Sequence, residues 1–126
     1  MFGTDYEEDY IMRQIKNIID AAVKLVFDVD TTAQFRQEMK ADAFANRLTE
    51  TAGSGNINEA ENLLYAKAEE RDPDTLRAGL LFYDYLNGMD DGYLSEHGFS
   101  REEIHEGLQH LTQVYGVKDV AALFAE

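Results

Sequence analysis

The stretch Gly55-Asn56-Ile57-Asn58-Glu59-Ala60-Glu61-Asn62-Leu63-Leu64, followed by Asp72-Pro73, constrains the fold most. It reads as a tight turn, a short amphipathic helix and the marked start of another helix. Gly55 accepts turn geometry that other residues resist. Asp72 is a natural N-cap, and Pro73 suits the first helical position, where its missing N–H costs nothing. This punctuation belongs to stacked helical hairpins, an architecture that presents surface and needs no reaction chemistry.

The rest of the chain has the same period. Helix one runs from about Asp9 to Phe27, with Ile11, Ile15, Ile18, Ala22 and Leu25 at helical spacing and Ile19, Val23 and Val26 widening the stripe. Helix two covers about Thr32 to Thr51 behind a Thr31 cap; its apolar positions Phe35, Met39, Phe44 and Leu48 are sparse. Helix three spans about Asn58 to Arg71, capped by Asn56 or Asn58. Helix four, Pro73 to Asn87, is apolar nearly all round and so should be the central helix, with Leu80 and Tyr83 buried. Tyr83 and Tyr85 point about 200° apart on it, so both cannot face one core. Gly88 ends this helix, and a short turn of helix is expected at Tyr93–Glu96. Ser100-Arg101-Glu102-Glu103 is a capping box that opens helix five, which ends at Gly116. A last short helix is expected from Lys118 to Ala125. No strand-like alternation occurs. Gly79 and Gly107 lie inside helices at about 1 kcal/mol each against alanine, a cost that close helix–helix approach would offset.

The 126 residues suffice for one domain, 1–126, with one core. The net charge of −14 is spread along the chain: 12 acids and 6 bases in the first 63 residues, 13 and 5 in the second. Nucleic-acid binding needs basic residues to displace phosphate counterions, so direct nucleic-acid contact is disfavoured, as is an anionic membrane surface. Self-repulsion that keeps the protein soluble is the plain reading. The sharper one is an acidic surface that docks a basic partner or imitates DNA. Absent cysteine removes disulfides and thiolate metal sites. No stretch approaches the ~20 apolar residues of a membrane span, and acids precede the first apolar run where a secretory signal would be basic. A cytoplasmic location is expected.

Gly55, Ala60 and Leu64, with Pro73 one position late, resemble the second half of a tetratricopeptide repeat; the first half's aromatic and leucine-glycine positions are missing, so that family's peptide groove is not implied. Over nearly the whole length, Asp9-Tyr10-Ile11-Met12-Arg13-Gln14-Ile15, Asn58-Glu59-Ala60-Glu61-Asn62-Leu63-Leu64 and Phe99-Ser100-Arg101-Glu102-Glu103-Ile104 resemble a family of small bacterial proteins of unknown function. That resemblance implies an all-helical fold and supplies no activity, ligand or functional residue.

Reaction chemistry finds little footing. His105 and His110 are five apart, whereas a zinc helix needs four. Glu102-Glu103-Ile104-His105 holds one Glu-x-x-His element, and di-iron bundles need two with two further glutamates. Asn87-Gly88-Met89-Asp90-Asp91-Gly92 suggests a calcium loop, but aligning Gly92 with the loop's glycine puts Met89 and Gly98 where oxygen ligands belong. A loose cation near Asp84, Asp90 and Asp91 is all it would support. Gly53-Ser54-Gly55 is too short to cradle phosphate.

The sequence therefore leads to an all-α domain of five or six helices in an antiparallel array, with tetratricopeptide-like hairpins. The expected function is protein–protein interaction or scaffolding without catalysis, cofactor or metal. Its rivals are an acidic decoy for a nucleic-acid-binding protein and a small ligand binder or enzyme with an interhelical pocket. The expected interaction surface is Ile11, Ile15, Ile19, Val26 and Tyr85, and a homodimer through helix one follows if helix one's stripe stays uncovered.

Overall fold

A computed structural model describes residues 2–117, with side chains from residue 9 onward. Among the described residues there are seven α-helices and no strand: α1 (Phe2–Phe27), α2 (Thr32–Glu38), α3 (Ala43–Gly53), α4 (Ile57–Ala68), α5 (Pro73–Asn87), α6 (Asp91–Glu96) and α7 (Arg101–Tyr115). The expected helix from Lys118 to Ala125 lies outside the described residues. Among them, no helix is long and apolar enough to cross a membrane.

Short polar side chains set the helix starts. Thr31, Asp42, Asp72, Asp90 and Ser100 each accept a hydrogen bond from a first-turn backbone N–H, at 3.1, 2.8, 3.0, 2.7 and 3.1 Å. The Ser100 cap opens α7 as its capping sequence implies. Ser100→Ala should lower stability by about 1 kcal/mol, read from the urea midpoint at unchanged slope. At α4 the N-cap is Asn56, whose side chain makes no capping bond; Asn58 instead donates to the Gly98 carbonyl at 3.4 Å.

Two expectations about the helices are corrected. The long helix from Thr32 to Thr51 is two helices, α2 and α3, divided where Asp42 caps α3. The buried positions explain the break. Phe35 and Met39 face the core from α2, and Ala45, Leu48 and Ala52 from α3. The six-residue step from Met39 to Ala45 puts the two about 120° apart round a helix, and Leu48 is about 180° from Met39, so one straight helix could not bury both sets. The other correction concerns α1, which begins at Phe2, earlier than the expected Asp9.

α3 and α4 form a hairpin across Ser54–Asn56. Gly55 has φ +98°, and a Cβ there would lie 2.9 Å from the His97 ring, so both backbone and space require glycine. The hairpin does not establish a tetratricopeptide-like array. α5 is the central helix: it packs on α1, α3, α4 and α7, and Leu76, Leu80, Phe82, Tyr83 and Leu86 are buried. α1 also packs on α7, which encloses Ile15, Ile18, Ile19, Ala22 and Val23. α6 is tied to the end of α3 by Tyr93, whose hydroxyl meets the Ala52 and Gly53 carbonyls at 3.1 and 3.0 Å.

Candidate functional site

Position 101 is the first residue of α7, where the helix dipole disfavours a cation. Arg101 is nevertheless there, and only 4% exposed. Its guanidinium turns back towards the α5–α6 connection. Nη1 donates to the Asn87 carbonyl at 2.6 Å and to Asn87 Oδ1 at 3.2 Å; Nη2 donates to the Met89 carbonyl at 2.8 Å and to Asp91 Oδ1 at 2.7 Å. Asn87 Nδ2 in turn donates to the Met12 carbonyl on α1 at 3.0 Å. The loop that suggests a calcium site is thus a strap held by an arginine.

The strap fixes Gly88 and Met89, and three surface depressions meet there. The largest, about 630 Å³, lies between α2–α3 and α5 and is lined by Met39, Leu81, Tyr85 and Met89, with Arg36 and Lys40 at its edge. A second, about 360 Å³, continues past Tyr85 to Gly53, Asp90 and Tyr93. A third, about 290 Å³, reaches Asp9, Met12 and Arg101. Together they form a groove around the α5–α6 turn.

Two side chains define its character. Tyr85 is 41% exposed, with its ring spanning from α5 to α3 and its hydroxyl over Gly53. Among the described residues that hydroxyl has no hydrogen-bond partner. Arg36 and Asp84 form a two-point ion pair at 2.6 and 3.0 Å, which raises the guanidinium pKa further. The lining carries three cations, Arg36, Lys40 and Arg101, against four anions, Asp9, Asp84, Asp90 and Asp91, so its own sign is weakly negative.

A second polar cluster lies where α4, α5 and α7 meet. Tyr83 Oη is 2.7 Å from Glu61 Oε2 and 2.8 Å from Tyr65 Oη, and Tyr65 donates to the Gly107 carbonyl at 2.5 Å. Burial raises the pKa of all three side chains; it is the largest cause each time. For Glu61, the Tyr83 hydrogen bond opposes the rise, Glu103 adds to it and His110 opposes it.

The residues expected to form an interaction surface are not brought together. Ile15 and Ile19 are 0% and 1% exposed and belong to the core, because α5 and α7 cover α1. Neither is available to a homodimer contact through helix one. Ile11 is half-buried, beside Gln14, Glu102, His105 and Glu106. Val26 is 37% exposed but does not line the groove. Only Tyr85 contributes to it. Among the described residues no three His, Cys, Asp or Glu side chains gather as a metal-binding group. Asp84 meets Arg36, Asp90 caps α6 and Asp91 meets Arg101.

Arg101 and Met89 have no site role in the sequence reading. The available signal is electrostatic: a cation in the first turn of a helix needs anions or carbonyls from elsewhere.

No curated protein and no solved structure matches the chain. Residues 5–116 match a family of unknown function, and the chain belongs to that family, DUF6483.

Proposed function

We propose that the protein is a non-catalytic interaction module whose groove around the α5–α6 turn holds a linear segment of a partner, one with apolar anchors between basic residues. The supporting observation is Tyr85, an exposed aromatic with an unspent hydroxyl between two apolar-lined depressions. Tyrosine and methionine are favoured in interface centres because they offer large adaptable contact area. The Arg101 strap supports the reading too. It pre-organises Met89, so docking would not have to order that loop. The sign of the partner follows from charge. The groove lining has one more anion than cation, and the chain as a whole carries −14, so its field attracts basic segments and repels acidic ones.

Selection of random linear peptides on the full chain tests this. Enriched peptides should place aromatic or aliphatic residues between lysines and arginines. They should bind more weakly as salt rises, and they should shift the methyl signals of Met39 and Met89. Tyr85→Ala should weaken them tenfold or more, as loss of an interface anchor does. A selection without enrichment, or peptides whose shifts cluster on α1 at Leu25 and Val26, overturns the proposal.

A further inference from the structure

The cluster between α4, α5 and α7 can be read by counting protons. It has three short contacts in series: Glu61 to Tyr83, Tyr83 to Tyr65, and Tyr65 to the Gly107 carbonyl, at 2.7, 2.8 and 2.5 Å. Each contact needs one proton between its two oxygens. The two hydroxyls supply two. If Glu61 is a carboxylate, one contact is left as two oxygens facing each other without a proton. If Glu61 carries a proton, the chain closes in one direction. The Glu61 carboxyl donates to Tyr83, Tyr83 to Tyr65, and Tyr65 to the Gly107 carbonyl.

Tyr83 is the enclosed centre of this chain, with Glu61 and Tyr65 half-buried on either side. Tyr83 is fully buried, and its ring packs against Phe82 at 5.1 Å between centroids. Gly107 has no side chain, and the network fills the space a Cβ would need: that Cβ would lie 2.7 Å from Glu61 Oε2. The ionisable groups around the Glu61 carboxyl are Tyr65 on its own helix, Tyr83 on α5, and Glu103 and His110 on α7. Glu103 disfavours a carboxylate, and a protonated His110 would favour one. α3 meets α4 on another side, where Lys67 lies over the Phe44 ring at 5.3 Å.

We propose that Glu61, Tyr83 and Tyr65 form a proton-dependent latch that clamps α4 to α5 and α7 when Glu61 is protonated and loosens the α4–α7 seam when it is not. The seam is where loosening would tell. A depression of about 390 Å³ runs along it, lined by Asn62, Tyr65, Glu69, His110 and Val114. The latch is separate from the groove around the α5–α6 turn and does not depend on it.

The burial-raised pKa of Glu61 gives the sign. The folded state holds the proton more tightly than the unfolded chain. The latch therefore contributes fully below the ordinary glutamate pKa and is lost as pH rises through the folded value. Carbon-13 NMR of the Glu61 carboxyl in the wild-type chain should give a titration midpoint above 4.5, the ordinary glutamate value. Glu61→Gln replaces the carboxyl proton with an amide donor and keeps the latch closed at every pH. Its melting temperature should match wild type near pH 4 and exceed it near pH 7.5. Hydrogen exchange at the α7 amides around Gly107, corrected for the intrinsic pH dependence of exchange, should speed up with pH in wild type and not in Glu61→Gln. A Glu61 midpoint at or below 4.5 overturns the latch, as does a melting difference that is the same at both pH values.

Discussion

Arg101→Met is expected to lower stability by about 3 kcal/mol, measured by urea unfolding. Methionine keeps much of the arginine stem and its helix propensity, so the change isolates the guanidinium. Its removal orphans the Asn87 and Met89 carbonyls and takes one contact from the Asp91 carboxylate. Each buried acceptor left unpaired costs about 1–3 kcal/mol. The Asp91 side chain is 47% exposed and can return to water, so it adds little. Relief of a cation at the start of α7 gives back about 0.3–1 kcal/mol. Arg101→Lys should recover only a minor part, since one ammonium cannot span Asn87, Met89 and Asp91 as the fork does. The effect should also localise. Amide exchange in residues 87–91 should speed up more than in the α3–α4 hairpin. A loss under 1 kcal/mol would mean that the strap is not held from below, and the groove would lose its rigid floor.

How far these features could be read from the sequence depends on how local their causes are. Caps at Thr31, Asp72 and Ser100 are legible because cap and capped N–H are two or three residues apart. The opposed directions of Tyr83 and Tyr85 follow from helix geometry alone: one is fully buried and the other 41% exposed. Asp42 carries the same kind of cap, and Phe44 and Leu48 lie about 140° and 180° round from Met39, so this break is legible too. For α1 the failure is of another kind. Its stripe is real, but a sequence does not say which helices will cover it, and α5 and α7 do. The groove is illegible for a related reason. Arg36, Met39, Thr49, Tyr85 and Met89 come from separate segments, and only tertiary packing sets them side by side. Arg101 lies between these cases. Its partners are 10–14 residues away, yet its place against the helix dipole is visible locally.

Gly107→Ala sets a local rule against a tertiary one. In a helix interior, alanine is better than glycine by about 1 kcal/mol, so propensity alone makes the substitution stabilising. The packing requires the opposite. The new Cβ would lie 2.7 Å from Glu61 Oε2 and 2.7 Å from Tyr83 Cζ, and nearer still to the Tyr83 hydroxyl oxygen. That hydroxyl ends a ring that is fully buried, so it cannot swing into solvent. Either α7 backs away from α4 and α5, or the three-contact network opens. Overpacking of this kind costs about 1–3 kcal/mol, and two lost buried hydrogen bonds add about 1 kcal/mol each. The net expectation is a loss of about 2–4 kcal/mol. Gly79→Ala is the control. Its Cβ would meet Leu111 Cδ2 at 2.6 Å and Leu64 Cδ1 at 3.2 Å, both methyl ends that can rotate, so its loss should be smaller. Tyr83→Phe makes room by deleting the hydroxyl. In a double-mutant cycle it should therefore rescue part of the Gly107→Ala loss, with a coupling well outside the additivity of distant sites. A Gly107→Ala protein as stable as wild type, with Tyr83→Phe strictly additive to it, would mean that glycine is not what lets α7 approach.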